Sequence, residues 1–143
     1  MLLITGAAGF IGGNFIHHWF SKNEEPVVVL DKLTYAGNAA TIAPWLKPGR
    51  AQLVQGDIGD RELVRGLLAE HRPRAVVNFA AESHVDRSIH GPGEFVQTNV
   101  VGTFGLLEEA RAYWGQLAAD ERDAFRFLHV STDEVYGSLS DTD

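Results

Sequence analysis

Cysteine is absent from the 143-residue chain, which excludes a disulfide framework, a thiolate metal site and a cysteine nucleophile, and fits a reducing compartment. Long apolar runs are absent as well. The N-terminal run LLIT is broken by Gly6, too soon for a signal-peptide core, and no later stretch approaches the ~20 apolar residues of a membrane span. Positive charge is scarce: twelve Lys and Arg against nineteen Asp and Glu leave a net charge of −7. The chain as a whole therefore repels a phosphate backbone or an anionic membrane surface, which disfavours a nucleic-acid binder and requires any nucleotide to be held locally. Nothing repeats at a fixed period and nothing is of low complexity. The expectation is a soluble, cytoplasmic, single-domain protein that buries roughly 70% of the surface its unfolded chain would expose.

What is present is an alternation. Short apolar runs lie at 2–5, 27–31, 51–55, 75–80 and 127–131. Each is rich in Val, Ile, Leu or Phe without strict polar alternation, as in strands covered on both faces of a parallel sheet. Between them, helical spacing predicts helices over 10–20, 61–71 and 95–113. The second has Leu63, Val64, Leu67 and Leu68 on one stripe, Asp60 as N-cap and Pro73 as a stop; the third has Val96, Val100, Phe104, Leu107 and Ala110 near one face. The long connection 32–50, with Gly37, Pro44, Pro48 and Gly49, calls for a short helix or a function of its own. This is the pattern of an α/β doubly wound parallel sheet, whose ligands sit beyond the carboxyl ends of the strands.

The chemistry-bearing residues follow the strands. GAAGFIG opens a helix straight after the first run, with Gly6, Gly9 and Gly12 spaced so that backbone N–H groups and the helix dipole can meet a pyrophosphate. Alone, three glycines are often an ordinary turn. Asp31, nineteen residues beyond Gly12 at the end of the second run, is spaced for the hydroxyls of an adenosine ribose. Its charge favours NAD over NADP, while Lys32 beside it pulls the other way. Asp57 and Ile58, in GDI, are candidates for an adenine ring, and the small Ala80 and Ala81 let a dinucleotide pass above the sheet. His84, Asp86 and His90 complete no metal shell, so no metal is expected. His17 and His18 sit mid-helix, facing out and in respectively. Asp133 and Glu134 follow the fifth run; TDE is also a common helix cap.

GAAGFIG, DKLTYAGN, GDI, AAESHVDRSI, TNVVGT and STDEVYG, in this order over 1–137, resemble the nucleotide-sugar branch of the extended short-chain dehydrogenase/reductases, an NAD-dependent epimerase/dehydratase family. DKLTYAGN and the Asp133–Glu134 pair resemble its 4,6-dehydratases. The resemblance implies a Rossmann-like NAD-binding fold, incomplete relative to the family, and a homo-oligomer, a dimer in the complete protein, acting on a nucleotide sugar. It assigns NAD to Phe10, Ile11, Asp31, Lys32, Leu33, Thr34, Asp57, Ile58, Ala80, Ala81 and Thr98, together with the glycine turn. Ser83 and Thr132 go to the sugar nucleotide, and Thr132, Asp133 and Glu134 to catalysis.

In such a dehydratase C4 is oxidised first, which acidifies C5. Glu134 then accepts the C5 proton and Asp133 protonates the departing C6 hydroxyl. Two adjacent carboxyl groups suit these opposite roles because like charges a few ångströms apart resist double ionisation. The family's Tyr-x-x-x-Lys pair, with the tyrosine as base toward the C4 hydroxyl, does not occur after Tyr136. The expected domain, 1–143, therefore stops before that helix and before the substrate-binding C-terminal part. It is expected to be either an N-terminal piece of a chain about twice as long or a natural truncation, and in either case not to turn over alone. A 4-epimerase, a decarboxylase and a non-catalytic NAD-binding module remain alternatives.

Overall fold

The structure, a computed structural model, describes residues 1–84, 89, 91–132, 135 and 137. Five strands form one parallel sheet: β1 (Leu2–Thr5), β2 (Val27–Asp31), β3 (Ala51–Gln55), β4 (Ala75–Asn78) and β5 (Arg126–His129), in the order β3-β2-β1-β4-β5. Leu2 pairs with Val27 on one side and Ala75 on the other, so the three central strands run in step and their carboxyl ends are level. The chain starts mid-sheet and winds outward both ways, which places the switch point above β1 and β4, where ligands of such sheets bind.

The helices among the described residues include α1 (Phe10–Lys22), α2 (Arg61–His71), α3 (Pro92–Phe95), a π-helical stretch (Val96–Gly102), α4 (Thr103–Trp114) and α5 (Ala119–Ala124). In α2 the Asp60 side chain accepts the Leu63 N–H at 3.0 Å, and Arg72 closes the C-terminus in the left-handed region before Pro73. The connection 32–50 contains two 3-10 turns, Ala39–Thr41 and Ala43–Trp45. Alternate sheet residues feed two cores. One holds Leu3, Val28, Leu30 and Val76 under α2 and α4. The other holds Ile4, Val27, Val29 and Val77 under α1 and Ile42. At about 1.5–3 kcal/mol for each fully buried aliphatic side chain, the central strands supply most of the apolar stabilisation.

Four expectations are corrected. β4 and β5 end at Asn78 and His129, two residues short of the predicted ends. The outer strands β3 and β5 are partly exposed rather than covered on both faces, β5 most of all, with Leu128 53% exposed. Of the stripe expected on the third helix, Ala110 alone is buried and the inward face is another one. Leu106, Glu109 and Ala110 are buried, whereas Val96, Val100, Phe104 and Leu107 are exposed, Val100 to 61%. The core side is chosen by contact with α2, and small residues at 102, 105 and 110 permit the approach. His18 is exposed, not inward; the inward positions of α1 are Gly12, Gly13, Ile16 and Phe20. His17 is held at the surface, its Nδ1 accepting from Trp45 Nε1 at 2.8 Å and its Nε2 2.8 Å from the Thr41 carbonyl. α5 had no counterpart in the sequence reading.

Candidate functional site

At the end of β1 the chain turns at Gly6, whose φ is +70°. A Cβ there would lie 2.5 Å from the Ala80 backbone nitrogen. Glycine alone meets both conditions, so β1 and β4 touch through bare backbone at the switch point. Gly12 packs α1 onto the same turn, its imagined Cβ 2.5 Å from the Gly6 carbonyl oxygen. Gly9 caps α1 without a side-chain acceptor and the first turn carries no acid, which leaves the helix-terminal N–H groups for an anion.

Asp31 joins two loops. Its carboxylate, 7% exposed, accepts the Ala8 N–H of the glycine turn and the Leu33 N–H, both at 2.8 Å. Leu33 has φ +54°, a conformation disfavoured for a side-chain-bearing residue, which the bond to Asp31 helps to hold. Beyond β3, Asp57 Oδ1 accepts the Gly59 N–H and Oδ2 lies 2.8 Å from Lys32 Nζ. Burial opposes ionisation of Asp57, but these donors outweigh it and hold its carboxyl below the usual range; the bond to Asp57 raises the Lys32 ammonium above its own.

The β4 side is built from side-chain amides. Asn78, fully buried, accepts the Thr5 hydroxyl and, at 3.2 Å, the Ala80 N–H on Oδ1, while its Nδ2 donates to His129 Nδ1 at 3.0 Å. This ties the ends of β1, β4 and β5 together and fixes the start of the segment after β4. Further on, Asn99 receives the Glu82 N–H and returns a bond to the Glu82 carbonyl, both 2.8 Å. The Tyr35 hydroxyl donates to Glu82 across the groove at 3.0 Å. A cavity of ≈ 60 Å³ opens between these loops, lined by Gly6, Asp31, Lys32, Thr34, Asp57, Ile58, Ala80, Ala81, Glu82 and Thr98 among others. It is too small to enclose a dinucleotide, so most of such a ligand would lie along the open sheet edge.

The family model described as GDP-mannose 4,6 dehydratase matches residues 3–143. The chain belongs to this family. Among curated members it is 62% identical over 140 residues to the dTDP-glucose 4,6-dehydratase of Xanthomonas campestris, a match covering 98% of this chain and 40% of that protein. The chain thus spans about 40% of the length of such relatives. Among solved structures, the dTDP-glucose 4,6-dehydratase of Streptomyces venezuelae with NAD bound is 45% identical with a TM-score of 0.83, over 98% of this chain and 42% of that one. The UDP-glucose 4-epimerase of Thermotoga maritima is 27% identical with a TM-score of 0.78, over 98% and 40%.

Within this GDP-mannose 4,6 dehydratase family chain, Gly9 and Gly12 stand at the start of α1 and Leu33 just after β2, and the other sequence-named site residues divide into three groups. Gly6, Asp31, Lys32, Thr34, Asp57, Ile58, Ala80, Ala81 and Thr98 meet around the cavity. Phe10 and Ile11 stand exposed on the first turn of α1, away from the cavity lining, and Ser83 and Thr132 are exposed beyond β4 and β5. Asp133, Glu134, Tyr136, Asp86 and His90 lie outside the described residues. Asn78, Asn99 and Tyr35 were missed as builders of the site. An asparagine closing the apolar run VVN was the available signal for the first; the other two act through partners 17 and 47 residues away.

Proposed function

We propose that residues 1–143 form the NAD-binding portion of a dTDP-glucose 4,6-dehydratase, a hydro-lyase producing dTDP-4-keto-6-deoxyglucose for nucleotide-sugar biosynthesis. The observation that carries this reading is the joined glycine turn and buried Asp31 carboxylate at the switch point, on a chain whose sixfold motif order ends in Asp133 and Glu134. The cradle fits a dinucleotide: Gly9 opens α1 with uncapped helix N–H groups for a pyrophosphate, and Asp31 stands beside the turn for ribose hydroxyls. Asp57 and Ile58 take the adenine end, and Ala80, Ala81 and Thr98 flank the path toward the nicotinamide.

NAD, when bound, supplies a hydride acceptor for sugar C4 and a donor for C6. The protein's own part is proton transfer and positioning. Ser83 and Thr132 hold the sugar nucleotide, Glu134 takes the C5 proton, and Asp133 gives a proton to the leaving C6 hydroxyl. The family's Tyr-x-x-x-Lys pair, which would supply the base of the oxidation step, does not occur after Tyr136 within residues 1–143. The dimer of the complete protein is part of this proposal, supported by the exposed stripe Val96, Val100, Phe104 and Leu107.

The test uses a complete version carrying this sequence. It should convert dTDP-glucose to a 4-keto product, and Glu134→Gln should accumulate reduced cofactor, seen by its absorbance, while product formation falls by about 10²-fold or more. Interconversion of UDP-glucose and UDP-galactose with no 4-keto product would replace this reading with an epimerase.

A further inference from the structure

Lys32 follows the ribose-directed Asp31 directly and is the cation lining the cavity among the described residues. A lysine in that place is chemically able to receive a 2′-phosphate. In the folded chain its ammonium is already engaged, 2.8 Å from Asp57 Oδ2, and Glu82 and Glu94 add to the negative field around it. Asp31 is less forbidding to a phosphate than its charge suggests, since both of its oxygens already accept backbone N–H groups. Repulsion by Asp31 alone would thus be open to compensation by a free neighbouring cation.

We propose that Asp57 is a specificity-determining residue acting through Lys32: by occupying the ammonium it withholds it from a 2′-phosphate, so that 2′-hydroxyl dinucleotides are selected. This rests on the dinucleotide reading above and adds the source of its selectivity. The two oxygens of Asp57 have separate tasks, Oδ1 holding the turn through Gly59 N–H and Oδ2 holding Lys32. Asparagine preserves the first and abolishes the second, which makes Asp57→Asn a variant that keeps the local turn.

The experiment is calorimetric titration of the 143-residue chain with ADP-ribose and with 2′-phospho-ADP-ribose, read as the ratio of the two affinities. Asp57→Asn should move that ratio toward the 2′-phosphate by about tenfold, and adding Lys32→Met to it should cancel the gain. Lys32→Met alone should leave the ratio where it was, because the ammonium is not serving a phosphate in the parent chain. An unchanged ratio in Asp57→Asn overturns the proposal. So does a loss of 2′-phosphate affinity relative to ADP-ribose in Lys32→Met, which would show the lysine already available. Failure of the unsubstituted chain to bind ADP-ribose would instead overturn the dinucleotide reading, and this proposal with it.

Discussion

A single methyl group at Gly6 distinguishes a structural from a purely ligand-driven requirement for glycine. The added Cβ meets the backbone nitrogen and Cα of Ala80 at 2.5 and 2.7 Å, atoms that cannot step aside without moving β4, and φ of +70° strains any L-residue. Gly6→Ala should therefore destabilise the chain by about 2–4 kcal/mol, measured by urea denaturation. Gly9 differs, since its Cβ would meet only the Gly6 carbonyl oxygen at 3.3 Å. Gly9→Ala should leave the denaturation midpoint near that of the parent while weakening ADP-ribose binding. Equal stability losses in the two variants would contradict this division of roles.

Between elements, the packing of α4 on α2 turns on Glu109. Its carboxylate is 3% exposed and receives Arg61 Nε at 2.8 Å and Arg65 Nε at 2.9 Å, while both arginines remain more than half exposed. The bond from Arg65 leads in holding Glu109 below the usual carboxyl range, against the opposing effect of burial, with Arg61 assisting. The two ways of breaking this cluster should cost different amounts. Glu109→Ala strands two arginines that water can still solvate, for about 1–2 kcal/mol. Arg61→Ala with Arg65→Ala leaves the Glu109 carboxylate without its donors and should cost more. Chemical denaturation of the two variants decides it, and the reverse order would mean that the arginine stems, not the charges, hold the helices together. The same elements explain the inward face of the third helix. Its apolar stripe is visible in the sequence, but Gly102, Gly105 and Glu109 are what α2 and Ile58 accept, and the stripe is left outside.

For the whole molecule, acid stability and association follow from where charge and apolar surface end up. Glu25 ties the N-terminal amine and Arg74 at 2.6 Å, joining the starts of β1, β2 and β4. The Arg74 bond, against the opposing effect of burial and assisted by the amine, lowers its carboxyl to about 2. A depressed carboxyl stabilises the fold above its unfolded value near 4.5 and loses that contribution as pH falls toward 2. Between those limits stability should drop more steeply in the parent than in Glu25→Gln, by about 1–2 kcal/mol in all after allowance for solvent screening. Parallel slopes in acid-denaturation curves would refute this. At neutral pH Val96, Val100, Phe104 and Leu107 are exposed, as are Leu128 on β5 and Val130 just after it, and apolar surface left in water favours association. Sedimentation should show concentration-dependent self-association of the 143-residue chain, and Phe104→Asp with Leu107→Asp should reduce it; a clean monomer at high concentration would contradict it. Among the described residues no helix is long and apolar enough to cross a membrane.

The sequence by itself determined the features encoded within a few residues or by simple periodicity. These are the glycine turn into α1, the Asp60 cap, the Asp31 spacing, and five apolar runs whose lack of alternation marks a parallel sheet. Each is a local conformational preference or a covering requirement that needs no distant partner. Tertiary structure decided what depends on two segments meeting. It set the face of α4, the exposure of β5, and the pairing of Lys32 with Asp57 across 25 residues. It also decided the use of Asn78 and Asn99 to hang the loops of the site. Side chains of one chemical type can satisfy a core, a cap or a partner equally well in isolation; only the neighbour brought close by the sheet order selects among them.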